Sequence, residues 1–232
     1  MAPPLEVAEG LLAVVRAHGG ARAPEWLAGA VATARVPLDR DGFATAFALA
    51  ARQAGRAAPE PTPAEVARLR TAGATWPVAP WGLHGLARAG LLLYAAAGLA
   101  PGELEALVEE CFLRGDTRER QAVLRTLALL PDPGRFVPLA VDACRTSVQP
   151  VFEAIACENP YPALYFPESN FNQMVLKAVF VGVAVGRILG LEDRITPELR
   201  RMAADYASER QAAGRSVPDD VAHLLGENGS RP

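Results

Sequence analysis

Residues 115–145 read GDTRERQAVLRTLALLPDPGRFVPLAVDACR. Asp116 and Glu119 have the spacing of a capping box, in which two side chains close the first turn of a helix. The helix that follows places four apolar side chains on one face: Val123, Leu124, Leu127 and Leu130. Prolines then break it, and further helices are predicted over residues 136–145 and 151–157. Short antiparallel helices joined by Asp/Pro turns are the units of α-solenoids.

Helix signals recur along the rest of the chain, and strand signals do not. The pattern of apolar residues, caps, glycines and prolines predicts further helices over residues 5–17, 26–34, 43–53, 62–71, 82–97, 101–113, 171–189, 198–211 and 218–225. We therefore predict an all-α fold of stacked antiparallel helical hairpins, either a HEAT-like α-solenoid or a compact helical bundle. Residues 1–225 are expected to form a single domain, and residues 226–232 a flexible tail.

The composition indicates a globular protein and excludes several functions. The chain has 232 residues, of which 50% are hydrophobic and 21% charged. A net charge of −3 argues against a nucleic-acid partner. The three histidines lack metal-ligand spacing, and no phosphate-binding or dinucleotide-binding motif is present, so neither a metal nor a cofactor is expected. The three cysteines form no paired motif, which is typical of reduced thiols in a cytosolic protein.

Two apolar stretches, residues 82–100 and 174–191, are candidates for a membrane span. Each contains two basic or ionisable side chains, and a charge at the centre of a span costs about 2.5–3.5 kcal/mol. Both are therefore interpreted as buried helices, and no transmembrane segment is expected. The N-terminus also lacks the basic segment of a secretory signal. These features predict a cytoplasmic protein, with peripheral contact at the inner membrane as an alternative.

The predicted helix over residues 171–189 carries the first group of candidate ligand-binding residues. Asn170, Gln173 and Lys177 are spaced to lie along one face. The rest of this helix is apolar, so it is expected to be central, and Lys177 partly buried. A desolvated lysine can act as a base, form a Schiff base or bind an anionic group. The alternative is a structural ion pair with Glu153, Glu158 or Glu168.

The stretch ENPYPALYFPES, residues 158–169, carries the second group. It is expected to be an ordered loop that is not helical across Pro160 and Pro162. Its aromatic side chains and the polar groups beside them suit a pocket for an amphipathic ligand. The candidate residues are Glu158, Asn159, Tyr161, Tyr165, Phe166 and Asn172. The alternative is a structural plug that seals the ends of helices.

Arg120 is the remaining candidate for ligand binding. It falls on the same helix face as Val123 and Leu124, so it is expected to point inwards. An inward arginine can hold a carboxylate or a phosphate through two parallel hydrogen bonds. Alternatively it bridges helices through Glu119 or Glu153. His84 is interpreted as a histidine packed in the core, and no catalytic residue is assigned.

Three stretches resemble the EboA family. They are GDTRERQAVLRTLALLPDPGRF (115–136), FEAIACENPYPALYFPESNFNQMVLKAVF (152–180) and TPELRRMAADYASERQAAGRSVPDDV (196–221). The resemblance implies a bacterial metabolite traffic protein of secondary metabolism. Such proteins are encoded in the ebo gene cluster with a UbiA-like prenyltransferase, a sugar-phosphate-cyclase-like protein and TIM-barrel proteins. No catalytic residue is established for the family, so none is carried over.

Three hypotheses about function follow. The first is a non-catalytic accessory protein that binds a hydrophobic or prenylated metabolite, or its membrane-bound synthase, and passes the product on. The second is an enzyme of the same pathway that uses Lys177 with a nearby carboxylate. The third is a protein–protein scaffold for other ebo cluster proteins, with no ligand. The first is favoured because the helical prediction, the aromatic loop and the family resemblance agree with it.

Overall fold

A computed structural model describes residues 4–226, and within this range the chain is all-α, with thirteen α-helices and no strand. The helices are α1 Pro4–His18, α2 Ala23–Ala34, α3 Arg40–Gln53, α4 Pro63–Thr71, α5 Gly82–Ala96, α6 Pro101–Arg114, α7 Thr117–Thr126, α8 Val137–Ala143, α9 Gln149–Ala156, α10 Tyr161–Tyr165, α11 Glu168–Val181, α12 Pro197–Ala212 and α13 Asp219–Leu225. Short 3₁₀ turns cover Ala79–Trp81, Leu127–Leu129, Pro133–Phe136, Val185–Arg187 and Glu192–Arg194. The all-α prediction is confirmed.

The chain divides into two compact units, Met1–Ile155 and Ala156–Pro232, which are called here the N-terminal and the C-terminal unit. The assignment of residues 1–225 to a single domain stays a prediction. Residues 227–232 of the predicted tail lie outside the described residues. Throughout the described part of the chain, every helix falls short of the length and apolar character that crossing a bilayer requires.

Helix α5 is the centre of the N-terminal unit. All 15 of its residues are buried, and α1, α2, α3, α6 and α7 pack around it. Its sequence, GLHGLARAGLLLYAA, is apolar on nearly every side, as expected for a helix enclosed by others. Gly90 allows α1 to approach, because a Cβ atom there would lie 2.5 Å from Cδ2 of Leu12. This close packing fixes the position of the buried polar residues that α5 carries.

The local signals around α7 are confirmed. The Asp116 carboxylate accepts a hydrogen bond from the backbone N–H of Glu119, and Glu119 accepts one from the backbone N–H of Asp116. The four predicted apolar side chains are fully buried: Val123, Leu124, Leu127 and Leu130. The helix ends before the predicted break, where Asp132 adopts a left-handed backbone with φ 48° between two prolines. The turn redirects the chain into α8.

The prediction of one long helix over residues 171–189 is wrong. Helix α11 begins at Glu168, before Asn170, and ends at Val181, because Gly182 closes it in the left-handed conformation with φ 74°. The helix is also not buried on every side: Gln173 is exposed, and 73% of Phe180 is exposed. Gly182 therefore ends the helix. The apolar residues on both sides of it gave a continuous helical pattern, which is why the sequence predicted a longer helix.

The prediction that residues 158–169 form a loop is also corrected. Residues Tyr161–Tyr165 form α10, a single helical turn that starts directly after Pro160. A proline is tolerated at position 162 because it lies in the first turn of the helix. A backbone N–H there would make no hydrogen bond within the helix, so its absence costs nothing. The prolines therefore start the turn instead of preventing it.

Candidate functional site

The three residues predicted to share a face of α11 differ in exposure. Gln173 is exposed, whereas Asn170 and Lys177 are half-buried. Continuing the same helical spacing, the face extends to Phe180 and Val181, both exposed. The face is therefore directed partly towards solvent within the C-terminal unit. Its assignment to ligand binding stays a prediction.

The aromatic residues of the predicted loop pack against one another. Tyr161 is fully buried, and its ring centroid lies 4.9 Å from that of Tyr165 and 6.2 Å from that of Phe166, the latter in an edge-to-face arrangement. Burial raises the pKa of the Tyr161 hydroxyl, and the neighbouring Tyr165 adds to the shift. The cluster belongs to the core of the C-terminal unit.

The polar residues beside this cluster hold the segment in place. Arg187 donates two hydrogen bonds to the Glu158 carboxylate, from Nε to Oε1 at 2.8 Å and from Nη2 to Oε2 at 3.0 Å. The Asn159 side chain is buried and accepts a hydrogen bond from the backbone N–H of Tyr161. Arg194 donates to the carbonyl oxygens of Ala163 and Phe166, which lie around the end of α10. These interactions favour the plug over an open pocket.

The remaining predicted residues belong to different units, and each is described within its own unit. Asn172 is 1% exposed, and its Oδ1 atom is buried without a hydrogen-bond partner. Glu153 belongs to the N-terminal unit, where it accepts a hydrogen bond from Gln149. Arg120, also in that unit, is half-buried and donates to the carbonyl oxygen of Leu113, with its guanidinium 5.8 Å from the centre of the Phe112 ring. Ligand binding by these residues stays a prediction.

The N-terminal unit carries a cleft that the sequence analysis did not find. Its volume is about 380 Å³. Helices α3 and α6 supply its apolar walls, chiefly Phe43 and Phe47 from the first, and Leu107 and Cys111 from the second. The rings of Phe43 and Phe47 are stacked, with centroids 5.8 Å apart. A cleft with aromatic walls can bury a small apolar molecule.

Charged side chains surround the apolar part of the cleft. Arg40 and Arg114 both pair with Glu110, from Nη1 to Oε2 at 3.5 Å and from Nη1 to Oε1 at 2.6 Å respectively. All three side chains are at least 41% exposed, so these pairs contribute little to stability. They place the polar ends of long side chains around the cleft, while its walls stay apolar.

A buried arginine lies behind the cleft wall. The Arg88 side chain, on α5, is 1% exposed. Its Nε donates to the carbonyl oxygen of Phe47 at 2.8 Å, and its Nη2 to that of Ala48 at 3.3 Å. Nη1 lies 3.1 Å from Nδ1 of His84, and Nη2 lies 3.6 Å from Oε1 of Glu119. Arg88 therefore links α5 to α3 and α7, and it touches three residues that line the cleft.

The thiol and imidazole groups near the cleft are uncharged. Burial, followed by the charge of Arg88, lowers the pKa of His84 to about 4. Because arginine only donates, Nδ1 of His84 must accept, and the ring proton is on Nε2. Burial raises the pKa of Cys111 to about 12, with Glu110 and Glu119 adding to the shift. Cys111 is therefore a protonated thiol and contributes an apolar wall, not a nucleophile.

The neutral form of His84 predicts a loss of stability in acid. The unfolded chain binds a proton near pH 6.5, and the folded chain only near pH 4, so the free energy of unfolding falls between these values, by about 3 kcal/mol in total. His84→Asn replaces Nδ1 by an amide oxygen that does not titrate. Urea unfolding at about pH 7 and about pH 4 is expected to show a smaller acid loss for the variant. Equal losses in both proteins would contradict the buried neutral histidine.

The sequence contained one signal for the buried cluster. His84 and Arg88 are four residues apart in an otherwise apolar helix, so they lie on one face. A charge enclosed in an apolar helix requires partners from elsewhere in the chain. From the sequence, His84 is interpreted as packed in the core, and both side chains count against a membrane span, but no partner is predicted for Arg88. Over residues 4–226 no group of His, Cys, Asp and Glu side chains is arranged to hold a metal ion.

The chain is thus an all-α protein whose N-terminal unit carries an apolar cleft backed by a buried arginine. A family model described as "Metabolite traffic protein EboA" matches residues 8–226, and the chain belongs to the EboA family. The resemblance seen in the sequence is confirmed. The family description fits an accessory role and indicates a metabolite as partner. No curated protein and no solved structure matched the chain significantly.

Proposed function

We propose that this EboA family member is a non-catalytic accessory protein that binds a hydrophobic or prenylated metabolite during its biosynthesis or traffic. The observation that carries the proposal is the cleft of about 380 Å³ between Phe43, Phe47 and Leu107. Phe43, Phe47 and Leu107 are each at most 4% exposed, so they form a fixed wall of the core. A prenyl or similar apolar group would be removed from water there, at about 25 cal/mol per Å² of buried apolar surface.

The chemistry of the cleft favours carriage over catalysis. The Cys111 thiol is protonated, and the buried His84 is neutral and already accepts from Arg88. Glu110 is held between two arginines. No group among these has the free base and nucleophile pairing that covalent catalysis uses. In this proposal the protein acts in the cytoplasm, close to the inner membrane where a prenyltransferase would release its product.

A substitution that fills the cleft tests the proposal. Ala44 lines the cleft from α3 and is exposed, so Ala44→Trp adds a large side chain inside the cleft without entering the core. The apolar fluorophore diphenylhexatriene is expected to bind the native protein, and Ala44→Trp to weaken its binding at least about tenfold, because the indole ring takes its place. Fluorescence titration measures both affinities.

The matched control is Ala28→Trp, the same change at an exposed alanine on α2 that is not part of the cleft wall. It is expected to leave the affinity for diphenylhexatriene unchanged. Equal affinities for the native protein and for Ala44→Trp would exclude the cleft as the binding site. Thermal unfolding of each variant separates a loss of binding from a loss of the fold.

A second candidate function is docking to a membrane-bound pathway enzyme. It is favoured by the face of α11 that begins with Asn170, Gln173 and Lys177 and ends with Phe180 and Val181. Phe180 is 73% exposed, and a large exposed aromatic side chain is typical of a contact surface. In this version the polar residues predicted as ligand-binding would contact a partner protein, such as a UbiA-like prenyltransferase.

A further inference from the structure

The two oxygens of the Glu119 carboxylate differ in their hydrogen bonding. Oε2 accepts the backbone N–H of Asp116 at 2.7 Å, which completes the cap of α7. Oε1 lies 3.6 Å from Nη2 of Arg88, beyond hydrogen-bond distance, and accepts no hydrogen bond from any residue between 4 and 226. It is not among the buried atoms that lack a partner, so it reaches solvent. Glu119 lines the cleft, and 14% of its side chain is exposed.

The charges around the cleft determine which ligand this oxygen can receive. The lining contains three carboxylates, on Asp41, Glu110 and Glu119, and two arginines, both paired with Glu110. The buried Arg88 behind the wall adds a third positive charge, beside Glu119, so three carboxylates are balanced by three arginines. A ligand of either charge would therefore add a charge that nothing in or beside the cleft compensates. An uncharged hydrogen-bond donor is the group that fits.

We infer that the cleft selects an uncharged molecule that joins an apolar body to a hydroxyl or N–H donor, and that Glu119 is the residue that determines this specificity. The inference rests on the proposed function. The apolar body lies against Phe43, Phe47 and Leu107, and the donor bonds to Oε1 of Glu119. The stacked phenylalanine rings offer a flat wall, which suits a ring beside the donor. A bound ligand removes Oε1 of Glu119 from water. A ligand with a donor replaces the lost hydrogen bond, whereas a ligand without a donor leaves Oε1 unpaired, and this difference is the source of the selectivity.

A pair of compounds that differ only in the donor tests this inference. Para-hexylphenol has a hydroxyl group, and para-hexylanisole has a methyl ether at the same position on the same apolar body. The native protein is expected to bind the phenol at least about tenfold more tightly, which corresponds to one hydrogen bond to a charged acceptor. Isothermal titration calorimetry measures both affinities. This comparison needs no variant and does not depend on the folding of one.

Glu119→Gln identifies the acceptor. Glutamine can also complete a capping box, so its carbonyl oxygen would take the Asp116 N–H and its amide would present N–H donors to the cleft. In this variant the ratio of the affinity for the phenol to that for the anisole is expected to fall to near one. Glu109→Gln, the same change at an exposed glutamate of α6 that is not part of the cleft lining, is expected to keep the preference. An unchanged preference in Glu119→Gln would overturn the role of Glu119.

The outcomes separate this inference from the proposed function. If the native protein binds both compounds equally, and Ala44→Trp abolishes the binding of both, the inference about Glu119 is overturned and the proposed function is supported. If the native protein binds neither compound, the inference and the proposed function are both overturned. A preference for the phenol that is lost in Glu119→Gln and kept in Glu109→Gln supports both the inference and the proposed function.

Discussion

Replacing Arg88 with methionine is expected to lower the free energy of unfolding by about 3 kcal/mol. Methionine has a similarly long, unbranched side chain but donates no hydrogen bond. The change leaves Glu119 without its counter-charge and removes the donors to the carbonyl oxygens of Phe47 and Ala48. Removing one partner of a buried pair costs about 3–5 kcal/mol, and the lower end applies because Glu119 reaches solvent.

Arg52→Met is the matched control for this substitution. Arg52 is exposed near the end of α3, so its loss is expected to change the free energy of unfolding by less than about 0.5 kcal/mol. Urea unfolding followed by circular dichroism measures both variants at neutral pH. If the Arg88 and Arg52 variants were equally stable, the guanidinium would not connect α5 to α3 and α7.

Replacing Tyr161 with alanine is expected to lower the free energy of unfolding of the C-terminal unit by about 3–5 kcal/mol. Tyr161 is fully buried and contacts the rings of Tyr165 and Phe166. Removing the ring leaves a cavity that the surrounding side chains cannot fill, because two prolines and Arg194 restrain the short helix around it. The result would support the structural plug, with residues 158–166 as part of the core, over the ligand pocket.

Leu164→Ala provides the comparison on the same helical turn. Leu164 is 64% exposed, so its truncation is expected to cost less than about 0.5 kcal/mol. Hydrogen exchange over residues 158–169 gives a second measurement, since a segment packed in the core is protected from exchange. Small effects of both substitutions, together with fast exchange, would contradict the structural plug.

Structural features made by residues a few positions apart in the chain, such as helix caps, were largely predicted from the sequence. The capping box predicted at Asp116 and Glu119 forms, and the helix predicted over residues 62–71 begins with another, at Thr62 and Glu65. Each is made by side chains three residues apart, so the sequence contains the whole interaction. The buried face of α7 followed in the same way from a helical repeat of apolar residues. Two local signals were misread: the stop at Gly182, which apolar residues on both sides concealed, and the prolines that start the turn at Tyr161.

The cleft could not be predicted because it depends on residues that are far apart in sequence. Arg40 and Glu110 meet across 70 positions, and Arg88 reaches the carbonyl oxygen of Phe47 across 41. No spacing rule connects such positions, since their contact depends on how α3, α5 and α6 pack. The sequence instead pointed to the aromatic segment at Tyr161, whose composition suits a pocket and a packed core equally well. Burial distinguishes the two, and burial is a property of the fold.

Native mass spectrometry of the protein expressed in its own host with the complete ebo gene cluster tests metabolite binding in the cleft most directly. The native protein is expected to retain a small molecule that is lost on denaturation, Ala28→Trp to retain it, and Ala44→Trp to lose it. A bound cluster protein without any small molecule would instead favour docking through the α11 face. A native protein that carries no small molecule, or an Ala44→Trp variant that retains it, would contradict metabolite carriage in this cleft.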